Sequence, residues 1–443
     1  MSGPLSRFYR WEMLGLLFCA YFLHQADRAI YGVLLSSIKE DLNLTDTQVG
    51  LTATVLFLVL AVMVPVAGFL GDRWSKKWII TCSLIFWSCA TMLTGLAGGL
   101  VGLILFRSVA TGGGESFYGP ASTALIAAYH KKTRALALSI HQASLYIGIM
   151  CSGFLAGHVA EQYGWRAAFY IFGGFGILLG GILIFRLHDP PSGSIEPVDG
   201  NVKKNPMENL QDMPGDENVL TQTQEAELER YTTAQAVKKL VRIPTVLLLT
   251  VGFTAVVVVN NSFLTWIPRF IEMKFGISQL EAGSNSMFFH HSTALVGVLL
   301  GGFLADGLST RFPRFRLGLQ SAAMLAGAPM IYLLGGTDSL SMLWLVIAVF
   351  GALRGLYESN THAAMFDVVP PNLRSTVVGL MIMTAFLIGS LPPVFLGYLA
   401  ERLGPEKGLA LGFQILSASW LIGGCCVFTA FCFTLGRDRI KTS

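Results

Sequence analysis

The feature that most constrains this chain is an apolar window of about twenty residues, the length a helix needs to cross a hydrocarbon layer of roughly 30 Å, recurring along its length. The runs centre near 11–36, 46–71, 78–98, 101–128, 135–159 and 165–186, then 245–270, 282–305, 317–336, 341–366, 375–400 and 408–435. Only 13% of the 443 residues are charged and 53% are hydrophobic, whereas soluble domains carry about a quarter charged. The pattern predicts an all-α membrane protein with twelve transmembrane helices, six and six.

Between the two sets lies a polar segment, 187–243, which divides the chain into a first half (1–186), a linker and a second half (244–443). Its Pro, Gly, Ser and Glu content predicts disorder in the earlier part, and Thr232 to Leu240 is expected to form a short amphipathic helix on the membrane surface. Basic residues alternate between loops: Arg7 and Arg10, Arg73/Lys76/Lys77, Lys131/Lys132/Arg134, Arg311/Arg314/Arg316 and Arg437/Arg439/Lys441 fall on one side. By the positive-inside rule both termini are cytoplasmic, and a cell (inner) membrane is expected. The first run lacks a signal-peptide cleavage site and is expected to remain as a span. The seven cysteines sit in apolar runs without CxxC spacing, which points to neither disulfides nor a metal site.

The halves repeat one another. Gly68-Phe-Leu-Gly-Asp72 returns as Gly302-Phe-Leu-Ala-Asp306, and Gly157-His-Val-Ala-Glu161-Gln-Tyr-Gly164 as Gly397-Tyr-Leu-Ala-Glu401-Arg-Leu-Gly404. Arg107 followed by Glu115-Ser116 is echoed by Arg354 and Glu358-Ser359. Six spans per half give both halves the same orientation, so these are parallel repeats, with a site expected near the midplane between them.

GFLGDRWSKKW, residues 68–78, ends the second span. Gly68 is expected to let helices approach, Asp72 to cap a neighbouring helix, and Arg73, Lys76 and Lys77 to stay in the headgroup zone. A basic loop end is ordinary by itself, but a copy at the same place in the other half is not. The stretch resembles the signature loop of the major facilitator superfamily, with Ser75 in place of a second glycine. The resemblance covers essentially the whole chain and implies gating roles for Gly68, Asp72, Arg73, Lys76, Lys77 and Asp306.

Charges inside spans are costly and mark functional candidates. In the first span His24 and Asp27 stand one turn apart, where imidazole and carboxylate can meet, and Arg28 follows. In the fourth, Arg107 and Glu115 are eight residues apart, about 12 Å along an ideal helix and about 80° around it. The pairings to test are Asp27 with Arg107 and Arg28 with Glu115. The Gly112-Gly113-Gly114 run permits either local unwinding or close packing. In the tenth span Arg354, Glu358 and His362 form an i, i+4, i+8 stripe. His290 and His291 lie in the eighth, and Asn260 and Asn261 take the repeat position of Asp27. Tyr118, Tyr146, His141 and Gln142 complete a candidate cavity lining. GGGE lacks the strand and Lys-Ser/Thr of a phosphate loop, and no enzyme, metal or nucleic-acid motif is present.

The ADR of the first span, the GFLGDRWSKK loop, Phe86-Trp87-Ser88 and R…GGGESFY resemble the Spinster-like branch, a neighbour of the anion:cation symporters. Both families usually separate the fourth-span Arg and Glu by seven residues. The spacing of eight is therefore expected to turn Arg107 or Glu115 from its usual direction. What the resemblance and the residues together imply is a proton-coupled secondary transporter: Asp27, Glu115 and His24 handling the proton; Arg28, Arg107, Tyr118, His141, Gln142, Asn260, Asn261, His290, Arg354, Glu358 and His362 contacting substrate. The three arginines favour a small organic anion such as a sugar acid, with a lysolipid as the alternative and a ligand-binding sensor as the reading from another class. No cofactor other than a proton gradient is expected, and the partners are a small-molecule substrate and the bilayer, with no nucleic acid, on a monomer.

Overall fold

A computed structural model describes residues 8–131, 133–190, 233–309, 311–312, 314–370 and 373–440. All twelve expected spans are helical. The unbroken ones are the first (Tyr9–Val33), second (Asp46–Arg73), third (Lys76–Thr94), fifth (Arg134–Tyr163), sixth (Trp165–Arg186), seventh (Pro244–Phe275), eighth (Gln279–Ser309) and ninth (Phe315–Gly336). The fourth is assembled from Leu100–Leu103, Ile104–Ala110, Thr111–Glu115 and Tyr118–Tyr129, and the tenth from Leu340–Glu358 and Thr361–Phe366. The eleventh comprises Arg374–Gly389 and Leu391–Leu403, and the twelfth Pro405–Thr429, Ala430–Thr434 and Leu435–Asp438.

Among the described residues, ten helices are long and apolar enough to cross a membrane. The two expected spans outside that set are the first, which carries His24, Gln25, Asp27 and Arg28, and the fourth, which is broken. The spans that depart furthest from a simple membrane helix are thus the two that carry the candidate site. Large apolar side chains such as Phe175, Phe185, Phe303 and Phe433 project outward, as lipid-facing positions should.

Local chemistry sets the ends. Thr45 and Gln48 form a capping box at the start of the second span, and Gly276, in the left-handed region at φ 64°, ends the seventh. Thr233–Val241 is helical, close to the stretch expected for the linker helix, with Ala236 and Leu240 buried and Lys238 exposed. It packs against the seventh and eleventh spans. The stretch expected to be disordered falls mostly on 191–232, which, like Arg7, Lys132 and Lys441, lies outside the described residues.

The halves meet along two seams, fifth against eighth span and second against eleventh, with the seventh span also against the first. The repeat explains the seams. A Cβ on Gly157 would press on Leu280, and one on Gly397 would collide with the carbonyl of Asp46. Gly157 recurs as Gly397 and Gly68 as Gly302, offsets of 240 and 234 residues; the second offset carries Asp46 onto position 280. The last glycine of the repeated motif turns the chain into the next span both times, with φ 81° at Gly164 and φ 87° at Gly404. Their ψ values of 161° and 146° put both in a region essentially closed to other residues. Gly404→Ala is therefore expected to cost about 1–3 kcal/mol, read as a lowered melting temperature in detergent. Gly174→Ala, in open space on the sixth span, is the control and should leave it unchanged or raise it.

At the end of the bundle away from the termini, polar groups bind half to half. Arg269 reaches Asp46 at 3.3 Å and Ser36 at 3.1 Å. Ser36 donates to Glu272 at 2.5 Å, Ser37 to Gln279 at 2.5 Å, and Gln279 to the carbonyl of Val33 at 2.8 Å. Toward the other end, Gly68, Gly302, Gly307 and Gly379 face open space. The halves are closed together at the end away from the termini.

Candidate functional site

Both anticipated cross-span pairs are present in the first half. Arg107 Nη1 lies 3.3 Å from Asp27 Oδ2, which also accepts from Thr91 at 2.9 Å. Arg107 Nη2 donates to the carbonyl oxygens of Asp27 at 2.8 Å and Arg28 at 3.4 Å. Arg28 Nε donates to Glu115 Oε2 at 2.7 Å. Each pair sets one carboxyl against one guanidinium, the arrangement that makes such groups tolerable in a low-dielectric bundle. Their exposures differ in a useful way: Arg107 and Glu115 are inaccessible, while the Arg28 side chain is 17% exposed. Arg107, expected to bind an anion, is clasped by three oxygens of the first span, and Arg28 is the more exposed of the two arginines.

The eight-residue spacing does not turn either fourth-span residue away. Ile104–Ala110 is a π-helix containing Arg107. A π-turn absorbs an inserted residue, so eight residues across it span the phase of about seven in a regular helix, roughly −20°. Arg107 and Glu115 consequently face the first span together. The glycines do what close packing requires: a Cβ on Gly112 would press on Leu56, and one on Gly114 on Phe86 and Trp87. The helix then breaks after Glu115.

His24 does not meet Asp27. Gln25 donates to its Nδ1 at 3.0 Å, which leaves the proton on Nε2, 3.8 Å from Glu115. His141 is buried, stacked on Tyr21 at 4.4 Å and 3.1 Å from the Tyr118 hydroxyl, which donates to the carbonyl of Leu17 at 2.7 Å. Tyr118 is thus a fully buried brace behind His141, with its hydroxyl committed to the protein. Gln142 is exposed, one helical turn before Tyr146 and so on the same face.

In the second half Arg354 is neutralised by its own helix: Glu358 Oε1 accepts from Nη2 at 2.7 Å and Nε at 3.1 Å. This explains why the seventh span carries amides where the first carries Asp27: no further counter-charge is needed. Asn261 ties the seventh span to the eleventh through the carbonyl of Gly389 at 3.0 Å, and Asn260 is half-buried. Arg354 Nη1 also meets His290 Nε2 at 3.0 Å, whereas His291 bonds the carbonyl of Met287 at 3.0 Å. Tyr146 crosses between halves to Glu358 Oε2 at 2.8 Å. Tyr21 lies within electrostatic range of both Arg28 and Glu358, so the charged groups of the two halves converge on one region. His362 does not extend the stripe. The helix stops at Glu358 and restarts at Thr361, and His362 is exposed beside Phe366.

Of the loop residues, the Asp72 and Arg73 side chains lie outside those described. The cap expected from Asp72 therefore falls outside the described side chains; at the start of the third span Ser75 accepts from Trp78 N at 3.2 Å, and Asp189, unanticipated, accepts from Lys77 N at 2.9 Å and pairs with the Ser75 hydroxyl. Lys76 is buried, and Lys77 lies over Trp78. Gly68 makes no close approach, and Asp306 is largely exposed, 3.6 Å from Arg316. The cross-half lock at Arg269 and Asp46 was also unanticipated, because both read as ordinary polar residues at span ends.

Residues 17–393 match the model of the Major Facilitator Superfamily. Protein spinster homolog 1 of Xenopus tropicalis is 28% identical over 90% of this chain and 74% of its own length. An MFS-type efflux pump of Mycolicibacterium smegmatis is 26% identical over 95% of this chain and 92% of its own length. A bacterial homolog to the human lysosomal transporter Spinster, solved in an inward-facing and occupied conformation, superposes with a TM-score of 0.80, 23% identity, and coverage of 99% of this chain and 100% of that one.

Proposed function

The chain belongs to the Major Facilitator Superfamily, and from that premise we propose that this Spinster-like, multi-pass transporter is proton-coupled and works by alternating access around the site between its halves. It is not an enzyme. The observation that carries the proposal is the crossed pair of buried ion pairs, Arg28 with Glu115 and Arg107 with Asp27. A proton on Glu115 removes the counter-charge from Arg28, the accessible arginine, and frees it for an anion. Asp27 and Arg107 keep the first and fourth spans in place meanwhile. Closure at the end away from the termini supports an access route from the other end. The distribution of basic residues favours a cytoplasmic location for the termini.

The Spinster matches favour an amphiphile with an anionic head, such as a lysolipid, over the sugar acid expected from the arginines alone. The sugar-acid reading retains the support of Arg28, Arg354 and His290 as a compact polar set. Uptake of a labelled lysophospholipid and a labelled sugar acid into proteoliposomes, with and without a pH gradient, separates the two. Glu115→Gln is expected to remove acceleration by the gradient while ungated exchange persists. Transport by that variant still driven fully by the gradient would end Glu115's part in coupling.

A further inference from the structure

Of the four spans that form the two seams, only the eleventh is broken, at Ser390, just before Pro392 and Pro393. Neither proline has an amide to donate, so the carbonyls of Ile388 and Gly389 lose their helical partners. Asn261 Nδ2 takes the carbonyl of Gly389 at 3.0 Å, and Trp266 Nε1 takes that of Pro393 at 2.9 Å. Ser390 keeps right-handed helical dihedrals, φ −76° and ψ −25°. The chain therefore holds a near-helical course while side chains of the seventh span stand in for the missing ladder. The two pieces also have different partners. On the side of the termini, a Cβ on Gly389 would press on Val257 of the seventh span, and Arg374–Gly389 touches the linker helix. Phe386 adds a ring contact with Phe57 of the second span, 6.3 Å between centroids. Beyond the break the backbone itself lies against the second span. Val394 N donates to Thr54 Oγ1 at 3.2 Å, a Cβ on Gly50 would collide with the carbonyl of Pro393, and Glu401 accepts from Thr47 N at 3.3 Å. The fifth span, the repeat counterpart, has no such joint: the offset of 240 carries the prolines onto Ser152 and Gly153, and Arg134–Tyr163 is unbroken.

We propose that Ser390 to Pro393 is a hinge and Asn261 its positioning residue: Leu391–Leu403 swings off the second span when the end away from the termini opens, while Arg374–Gly389 stays on the seventh. Hinges are a few element-terminal residues that absorb the backbone change, and an interrupted ladder is where a helix bends most readily. Because the Asn261 amide belongs to the seventh span, the Gly389 carbonyl stays paired while the piece beyond it moves. Trp266 holds the Pro393 carbonyl at the pivot. Opening then costs the contacts of Val394 with Thr54 and of Glu401 with Thr47, both at the far piece. The seam of the fifth and eighth spans has no joint and parts only by movement of whole spans. The inference rests on the alternating-access reading above, but its test does not.

The test is amide hydrogen exchange on the full-length protein in detergent. Residues 394–403 are compared with 154–163, their repeat counterparts, which likewise end at a positive-φ glycine. Exchange in 394–403 should be about tenfold or more faster, and should fall to the level of 154–163 in Pro392→Ala/Pro393→Ala, which restores both amides. Equal protection of the two segments in wild type overturns the hinge, and fast exchange that persists in the double variant overturns the prolines as its cause. Melting temperature tests Asn261. Asn261→Ala should melt below wild type, and Asn261→Ala/Pro393→Ala should recover, since the amide at position 393 again reaches the Gly389 carbonyl. A double variant that melts no higher than Asn261→Ala overturns the part given to Asn261. None of these readouts involves substrate or a pH gradient, so a failure of the transport reading would leave them unchanged.

Discussion

Arg107→Met is expected to be the most damaging single substitution in the transmembrane core. It leaves the Asp27 carboxylate, 3% exposed, facing Thr91 without its cation, and removing one partner of a buried pair costs about 3–5 kcal/mol. A domain stabilised by roughly 5–15 kcal/mol has little room for that loss. The variant should express poorly and melt well below wild type in detergent. The double variant Asp27→Asn/Arg107→Met removes both charges and should recover most of the lost stability, because the desolvation cost disappears with the attraction. The difference between the single and double variants is the coupling energy, and it should be large. Transport driven by a pH gradient should not return with the fold. A single variant as stable as wild type would mean that the Arg107 clasp on the first span contributes nothing.

Arg269→Ala should act on conformation more than on folding. Arg269 holds Asp46 and Ser36 across the halves. Its removal does not orphan Asp46, which keeps Lys39 at 2.8 Å. Hydrogen bonds to charged groups contribute about 1.5–3 kcal/mol. Since about 1.4 kcal/mol is a tenfold change in an equilibrium constant, losing them shifts the balance toward opening at that end by roughly ten- to a hundredfold. Ser37 and Gln279 touch across the same seam, so disulfide formation between Ser37→Cys and Gln279→Cys reports closure directly. Crosslinking in membranes should fall when Arg269→Ala is added and recover partly with Arg269→Lys. Yield unchanged by Arg269→Ala would assign closure to the glycine contacts alone.

The architecture was legible because each span announces itself by length and composition, and the duplication by short motifs that need no alignment of distant sequences. The pairs Asp27 with Arg107 and Arg28 with Glu115 were also legible, since four buried charges on two spans must cancel. Their geometry was not. A π-turn is a change of hydrogen-bond register that the apolar pattern does not encode, and the eight-residue spacing is its only trace. The direction of His24 depends on Gln25 and Glu115 together, and helix periodicity alone aimed it at Asp27. The lock between Arg269, Asp46, Ser36 and Glu272 joins residues more than two hundred positions apart. It exists only once the halves are docked.

The paired seams carry a historical implication. Position 157 rests on position 280, and their counterparts by the repeat offsets, 397 and 46, rest on each other in the same manner. A six-span ancestor associating with a second copy of itself would have made both contacts with a single surface, the self-complementary arrangement of a two-fold symmetric dimer. In such a dimer every substitution in the seam would have been felt twice. Fusion into one chain released that constraint, and the amides of one half beside the acid of the other are what such freedom allows.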